Sequence, residues 1–345
     1  TPAENGPLTG KFEGLSQIVF DDNGKKEHIL LRDAVDELKG ELIGERIWDR
    51  YESWPMYSKF FDNKGALPHH VHHRDEHAKL TGQNGKPEAY YFPPQVNNHG
   101  GDFPYTFFGF NPGTTKDQVM ECLKNFTKGD NKITNLSSAQ RLQPGTGWDV
   151  PPGLLHAPGS LCTYEPQKAS DVFAMYQSLT GDSIVPEELL WKDTPEERVG
   201  DFDFLLEILD WELNVDPEMQ KNRFMAPQPV KPMEEMQAEG YEESWVCYKS
   251  ADFSATELTV YPGSTVTIRD AAAYGMILMQ GYGKMGVWSI ETPSLIRFGQ
   301  LTNDEFFVSE KAAMEGVEIT NYSSTEPLVM LKHFGPGNPD LNLQD

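Results

Sequence analysis

The sequence has 345 residues, enough for two domains, and 38% of them are hydrophobic, so a sizeable core can form. Its formal net charge of −24 opposes binding to nucleic acid and to anionic membranes, and it disfavours long-range attraction of a phosphorylated substrate. No apolar run of about 18 residues occurs, so no membrane span is expected. The three cysteines lack metal-type spacing, and we interpret them as reduced thiols of an intracellular, cytoplasmic protein.

In chain order, turn residues and periodic apolar residues alternate through the first half. Leucines and a valine at helical spacing predict a helix over residues 29–43. Thr115, or the threonine before it, can cap a second helix over residues 116–126. Short apolar runs bounded by turns predict strands at 17–20, 89–92 and 105–110.

In the second half, the composition and the predicted secondary structure change at two points. Residues 181–235 are acidic, contain a helical segment near 203–213 and end in a proline-rich stretch, which predicts a linker between domains. Beyond it, short strands with Gly and Pro turns predict a sandwich or jelly roll with a single histidine, His333. The predicted strands are 258–261, 265–268, 275–279, 294–298, 305–308, 317–321 and 328–333.

A histidine-rich stretch, residues 69–77, holds five of the nine histidines. Side chains at alternate positions of a strand share a face, so His70 and His72 point the same way. Two imidazoles with carboxylates nearby suit a divalent transition metal, whereas the alternative is an exposed polar loop. By the same alternation, His69 and His73 face away from the metal, towards solvent or behind the ligands.

A second motif supplies the candidate third ligand. Glycines and prolines in residues 145–156 permit two tight turns, and His156 follows the second turn, where a strand should begin. With the pair His70 and His72, this spacing resembles the two signature motifs of the cupins, small jelly-roll barrels that hold a metal inside.

A narrower resemblance covers roughly residues 30–180. It rests on the stretches 54–62, 67–72, 75–76, 85–88, 109–113, 150–153, 156–159, 165–167 and 170–171, which are similar to type I phosphomannose isomerase. The resemblance implies an all-β fold of two cupin (jelly-roll) barrels with helical additions. We expect an N-terminal metal-binding cupin domain with its arm and helix at 1–180, a helical, proline-rich linker at 181–235, and a C-terminal cupin-like domain without metal ligands at 236–345.

Carried over by position, the resemblance also implies a metal site. The family usually has Gln where this chain has His70, and an imidazole there makes a more basic, tighter site. Glu76 is the alternative carboxylate, as in many cupins. The cofactor would be one divalent ion, zinc first, with iron, manganese, nickel, cobalt or copper as alternatives. The implied ligands are His70, His72, Glu88 and His156.

Lys86 and Glu165 match the family's active-site lysine and carboxylate. They imply a metal-dependent sugar isomerase of carbohydrate metabolism, similar to mannose-6-phosphate isomerase, that interconverts aldose and ketose through an enediol. The family carries an arginine after Ser170 and Asp171, where we align Ala174. Losing this bidentate anion clamp makes a non-phosphorylated or altered sugar the alternative to a sugar phosphate.

Two other functions remain open from the sequence. Three histidines and one glutamate also serve redox cupins, so a dioxygenase or lyase is the second hypothesis. A non-catalytic sugar-binding bicupin is the third. In the first and third hypotheses the partner is a small-molecule sugar or sugar phosphate, and a homodimer through the C-terminal domain is a further expectation.

Overall fold

The computed structural model describes residue 12 and residues 15–22, 25–63, 65–97, 103–181, 183–293 and 304–341. The chain divides into two compact units, one of them Ser58–Pro227 and the other Thr1–Tyr57 with Gln228–Asp345. The described residues of Thr1–Tyr57 therefore group with the carboxy-terminal half, whereas the arm and the first helix were expected to belong to the N-terminal domain at 1–180. The domain boundaries at residues 180 and 235 stay predictions.

Strands form most of the regular structure. In the first two thirds of the chain they are β1 (Gln17–Asp22), β2 (Lys25–Leu30), β3 (Met56–Phe61), β4 (His70–Val71), β5 (Glu88–Tyr91), β6 (Tyr105–Phe110), β7 (Ser137–Arg141), β8 (Gly147–Val150), β9 (His156–Ala157), β10 (Thr163–Lys168), β11 (Ala174–Met175), β12 (Leu179–Thr180), β13 (Ser183–Ile184) and β14 (Phe224–Met225). The remaining described strands are β15 (Gln228–Pro229), β16 (Tyr241–Cys247), β17 (Ser254–Val260), β18 (Thr265–Ile268), β19 (Tyr274–Gln280), β20 (Tyr282–Met285), β21 (Trp288–Glu291), β22 (Glu305–Val308), β23 (Val317–Asn321) and β24 (Leu328–Phe334).

The α-helices are short. Among the described residues, none combines the length and the apolar character needed to cross a bilayer. They are α1 (Leu31–Leu38), α2 (Gly40–Ile43), α3 (Glu45–Tyr51), α4 (Asp75–Ala78), α5 (Lys116–Lys124), α6 (Glu187–Leu190), α7 (Phe202–Ile208), α8 (Trp211–Asn214), α9 (Met219–Arg223), α10 (Met233–Glu239) and α11 (Glu310–Glu315).

Two five-stranded sheets build the unit Ser58–Pro227, in the orders β14-β8-β5-β10-β3 and β11-β4-β9-β6-β7. One apolar core joins Tyr90 and Trp148 of the first sheet with Phe108 of the second, so the two sheets meet face to face. The other face of the second sheet packs Val71 and Ala174 against helices α5 and α7. This is a jelly-roll sandwich, and no sheet of the described residues closes into a barrel.

The other unit repeats the plan with a six-stranded sheet, β15-β16-β17-β24-β19-β22, and a four-stranded one, β18-β23-β20-β21. Leu258 and Met330 of the larger sheet share a core with Val266 and Ile319 of the smaller. All the strand pairs recorded in this unit are antiparallel. The prediction of an all-β fold with two cupin-type units and helical additions is therefore confirmed.

Local differences from the sequence predictions have identifiable causes. The single helix predicted at 29–43 is wrong, because Ile29 pairs with β1 and Lys39 adopts a φ of 51°, which no continuous α-helix contains. The helix after Thr115 is confirmed, with Gln118 completing a capping box. Strands β20 and β21 were missed because the glycines around Tyr282 indicate a turn. The strand predicted at 294–298 lies outside the described residues.

A buried ion cluster lies in the core of the carboxy-terminal sandwich. Lys332 of β24 is fully buried, and its Nζ lies 2.7 and 2.8 Å from the Asp270 carboxylate oxygens and 2.8 Å from Glu243 Oε1. Burial raises the pKa of Asp270 to about 6 although the lysine opposes that rise. Both carboxylates therefore depend on a single cation.

We predict that Lys332→Met lowers the free energy of unfolding by about 3–5 kcal/mol, because it leaves two buried carboxylates without their cation. Urea unfolding at pH 7 measures the change. Lys311→Met is the matched control, since the Lys311 ammonium lies 4.0 Å from Glu315 on the surface and its loss should cost less than about 0.5 kcal/mol. Similar small losses in both variants would contradict the prediction.

Candidate metal centre

Strand pairing brings three imidazoles to one face. His70 of β4 pairs with His156 of β9, and His72 lies two residues further on the same face as His70. The ring centroids are 4.3 Å apart for His70 and His156, 5.0 Å for His72 and His156, and 5.1 Å for His70 and His72. One nitrogen from each ring lies within 4.8 Å of the other two, and all three side chains are buried. The group could therefore hold a metal ion.

Backbone carbonyls fix the tautomer of each of these rings. A carbonyl oxygen can only accept a hydrogen bond, so each Nδ1 carries a proton, and in the neutral ring Nε2 keeps its lone pair. The Nδ1-to-oxygen distances are 2.8 Å from His70 to Pro68, 2.7 Å from His72 to Val172 and 2.9 Å from His156 to Leu154. Burial lowers the pKa of His72 to about 3, and that of His70 falls well below its ordinary value. These two rings are therefore neutral ligand donors at pH 7.

The Glu88 carboxylate lies against the same nitrogens. Glu88 Oε1 is 3.0 Å from His72 Nε2, and Oε2 is 3.5 Å from His156 Nε2. With the ring protons on Nδ1, each of these contacts brings an Nε2 lone pair against a carboxylate oxygen, and both atoms are hydrogen-bond acceptors. The buried His156 Nε2 has no hydrogen-bond partner within the described structure. A cation between them removes the conflict. Three imidazoles and one carboxylate fit a divalent transition metal.

Lys86 and Glu165 flank this group. Lys86 Nζ lies 3.1 Å from Glu88 Oε1, and both side chains are buried. Burial alone would raise the pKa of Glu88, but the Lys86 ammonium holds it below its ordinary value. Burial and the Glu88 charge raise the pKa of Glu165 to about 8. A carboxyl group that exchanges its proton near neutral pH suits acid–base chemistry.

The structure brings every predicted site residue together. Their roles stay predictions, but their positions are those that the predicted site needs. Glu76 does not belong to the group, because its side chain is 59% exposed on α4 and pairs with Arg74 at 3.0 Å. The residues that converge are His70, His72, Glu88, His156, Lys86 and Glu165.

The neighbouring histidines face away from the centre, as expected, but they do not face solvent. His69 is buried, with Nδ1 2.6 Å from Gln177 Oε1 and Nε2 2.7 Å from Ser137 Oγ, and its ring packs on Phe107. His73 is also buried. Of the two expected positions, towards solvent or behind the ligands, the burial of both side chains excludes the first. His99 lies outside the described residues.

Strand β11 contains Ala174, the residue that we align with the family's arginine. Ala174 pairs with Val71 and belongs to the apolar cluster on the far side of the sheet. Met175 is the residue opposite His70 in the strand pairing, and it is partly buried against the same apolar cluster. Position 174 therefore lies in the apolar core of this unit.

Sequence reasoning did not identify Lys59 as a neighbour of the site. Lys59 of β3 lies 3.2 Å from Glu165 Oε1 through its Nζ, and its side chain is 34% exposed. Lys59 falls in one of the family-like stretches, but no local pattern indicates that β3 neighbours β10. That neighbour relation comes from the sheet order.

The unit that holds this centre has a cupin-type fold. The sequence matches no family model and no curated protein. Solved structures match its fold. The mannose 6-phosphate isomerase of Bacillus subtilis is 15% identical over 91% of this chain and 83% of that chain, with a TM-score of 0.61. An alanine variant of the phosphomannose isomerase of Salmonella typhimurium is 13% identical over 93% and 88%, with a TM-score of 0.63. The chain therefore has the fold of the type I phosphomannose isomerases.

We predict that the purified chain binds one divalent transition metal ion per molecule and that His156→Ala lowers the affinity at least about 100-fold, because it removes one of three nitrogen donors. Elemental analysis and competition with a chelator measure both quantities. His77→Asn is the control, since His77 lies on α4 outside the group. Equal metal affinity in the parent and His156→Ala would refute this site.

Proposed function

We propose that the chain is a metal-dependent aldose–ketose isomerase, similar to mannose-6-phosphate isomerase. One observation carries the proposal: Glu165, whose pKa is raised to about 8, adjoins the candidate ligand Glu88. Antiparallel pairing of β10 with β5 sets Gln167 opposite Glu88, and Glu165 shares the face of Gln167. A proton-exchanging carboxyl beside a Lewis-acid site is the arrangement that moving a proton between adjacent carbons requires.

The chemistry divides between the metal and the side chains. When bound, a divalent ion would polarise the carbonyl and adjacent hydroxyl oxygens of an open-chain sugar. Deprotonated Glu165 takes the proton from the carbon next to the carbonyl and returns it to the neighbouring carbon. The Lys59 ammonium favours the deprotonated form of Glu165. Lys86 offsets the negative charge that develops on the enediolate.

The charges around the site indicate which sugars should be tested as substrates. Met175, not a basic residue, lies opposite His70, and the net charge of −24 opposes long-range attraction of a phosphate. The partly exposed Lys59 is the cation that a phosphate approaching Glu165 would meet. Free hexoses are therefore a substrate class to test beside their 6-phosphates.

The experiment follows interconversion of mannose 6-phosphate with fructose 6-phosphate, and of mannose with fructose, by protein loaded with zinc, cobalt or manganese. Turnover of either pair, lost in Glu165→Gln and kept in the exposed control Glu76→Gln, supports the isomerase. Turnover of free sugars alone removes the phosphosugar substrate. No turnover of any aldose, with tightly bound iron and oxygen uptake instead, would contradict the proposal and favour a redox cupin.

Lys59 gives the proposed base a testable pH dependence. Glu165 acts deprotonated, so the rate rises as pH increases through its pKa, and a nearby cation lowers that pKa. We predict that Lys59→Met shifts the acidic limb of the kcat/KM profile to higher pH by about one unit. Lys168→Met removes the same charge from a side chain that pairs with Asp75, and it should leave the limb in place. A shift of equal size in both variants would indicate a general charge effect.

A further inference from the structure

A short turn carries His156 into the centre, and hydrogen bonds hold its backbone on both sides. Gly153 N donates to His72 O at 2.8 Å, and Gly109 N donates to Leu155 O at 2.7 Å. Leu154 O accepts from His156 Nδ1 at 2.9 Å. This last bond fixes the tautomer of His156, so the ring's orientation depends on where the carbonyl of Leu154 points.

Asn214, the last residue of α8, holds this turn from outside the sheets. Its Oδ1 accepts from Leu155 N at 2.8 Å, and its Nδ2 donates to Gly153 O at 2.6 Å and to Asp210 O at 2.7 Å. The side chain is fully buried. The Asn214 amide therefore holds the residues immediately before and after Leu154, whose carbonyl orients His156.

The backbone around α8 lies very close to Gly153 and to Gly109. Gly153 adopts a φ of 86°, and a Cβ there would lie 3.0 Å from Asp210 N, which itself donates to Gly153 O at 3.0 Å. Gly109 adopts a φ of 64°, and a Cβ there would lie 2.5 Å from Asn214 O. Glycine is needed at both positions, so that the backbone of α8 can reach the turn.

We propose that Asn214 is a positioning residue for the metal centre, acting through the carbonyl of Leu154 on the tautomer and orientation of His156. The inference rests on the proposed metal site. Groups that orient metal-ligating histidines typically change metal affinity by about 10–100-fold when they are lost. Asn214 does so indirectly, 59 residues along the chain from Leu155.

The other unit offers a matched control. Asn321 is also buried, its Oδ1 accepts from Ser323 N at 2.9 Å, and its Nδ2 donates to Val260 O at 3.0 Å and Glu326 O at 2.9 Å. Its amide also makes three hydrogen bonds to the backbone, but none to a residue next to a candidate ligand. A merely structural role for Asn214 would make the two variants alike.

The test compares Asn214→Ala, Asn321→Ala and His156→Ala by Co²⁺ affinity, the ligand-field absorption of bound Co²⁺, and Tm. We expect both asparagine variants to lower Tm. Only Asn214→Ala should weaken Co²⁺ binding, at least about tenfold, and alter its absorption bands. Parent-like Co²⁺ affinity and absorption in Asn214→Ala, with impaired binding in His156→Ala, overturns the positioning role alone. Unchanged binding in His156→Ala overturns the metal site and the inference together.

If the Asn214→Ala variant fails to fold, a measurement on the unmodified protein still tests the inference. Leu155 N–H and Ser323 N–H each donate to a buried asparagine. If Asn214 acts through His156, adding Co²⁺ to the metal-free protein should slow hydrogen exchange at Leu155 N–H at least about tenfold and leave Ser323 N–H unchanged. Co²⁺ binding without extra protection at Leu155, or with equal protection at Ser323, overturns the inference.

Discussion

The structure depends on a conflict between hydrogen-bond acceptors that is built into the first sandwich. Backbone carbonyls hold the protons of three buried imidazoles on Nδ1, so the Nε2 lone pairs face one another and the Glu88 carboxylate. Lone pairs brought this close in a dry interior are costly unless a cation or a proton lies between them. The low pKa of His72 disfavours a proton there, and these side chains could hold a metal ion instead.

Strand pairing and helix packing in this unit keep the imidazoles and the Glu88 carboxylate close together. Pairing of β4 with β9 sets two rings side by side, and pairing of β5 with β10 brings Glu88 and Glu165 to the opposite wall. Helices on the outer face bury Val71 and Ala174, so the sheet cannot shift its register without exposing an apolar surface. The carboxy-terminal unit has the same two-sheet plan, but a buried lysine with two carboxylates lies inside it.

Much of the centre could be predicted from local pattern. Alternation selects His70 and His72, turn spacing indicates His156, and family likeness favours Glu88 over Glu76; the structure brings all four chosen residues together. Register could not be predicted: one residue of slip separates Ala174, which packs in the core, from Met175, which lies opposite His70. Lys59 and Asn214 reach the site through strand order and a distant helix, and neither leaves a signal in sequence spacing.

The most direct test of the central claim is anomalous diffraction from crystals of the chain grown with Zn²⁺, measured on both sides of the zinc absorption edge. The account predicts one strong peak among the described residues, about 2.0–2.2 Å from Nε2 of His70, His72 and His156 and from a carboxylate oxygen of Glu88. No peak there, or zinc bound only at other side chains, would contradict it.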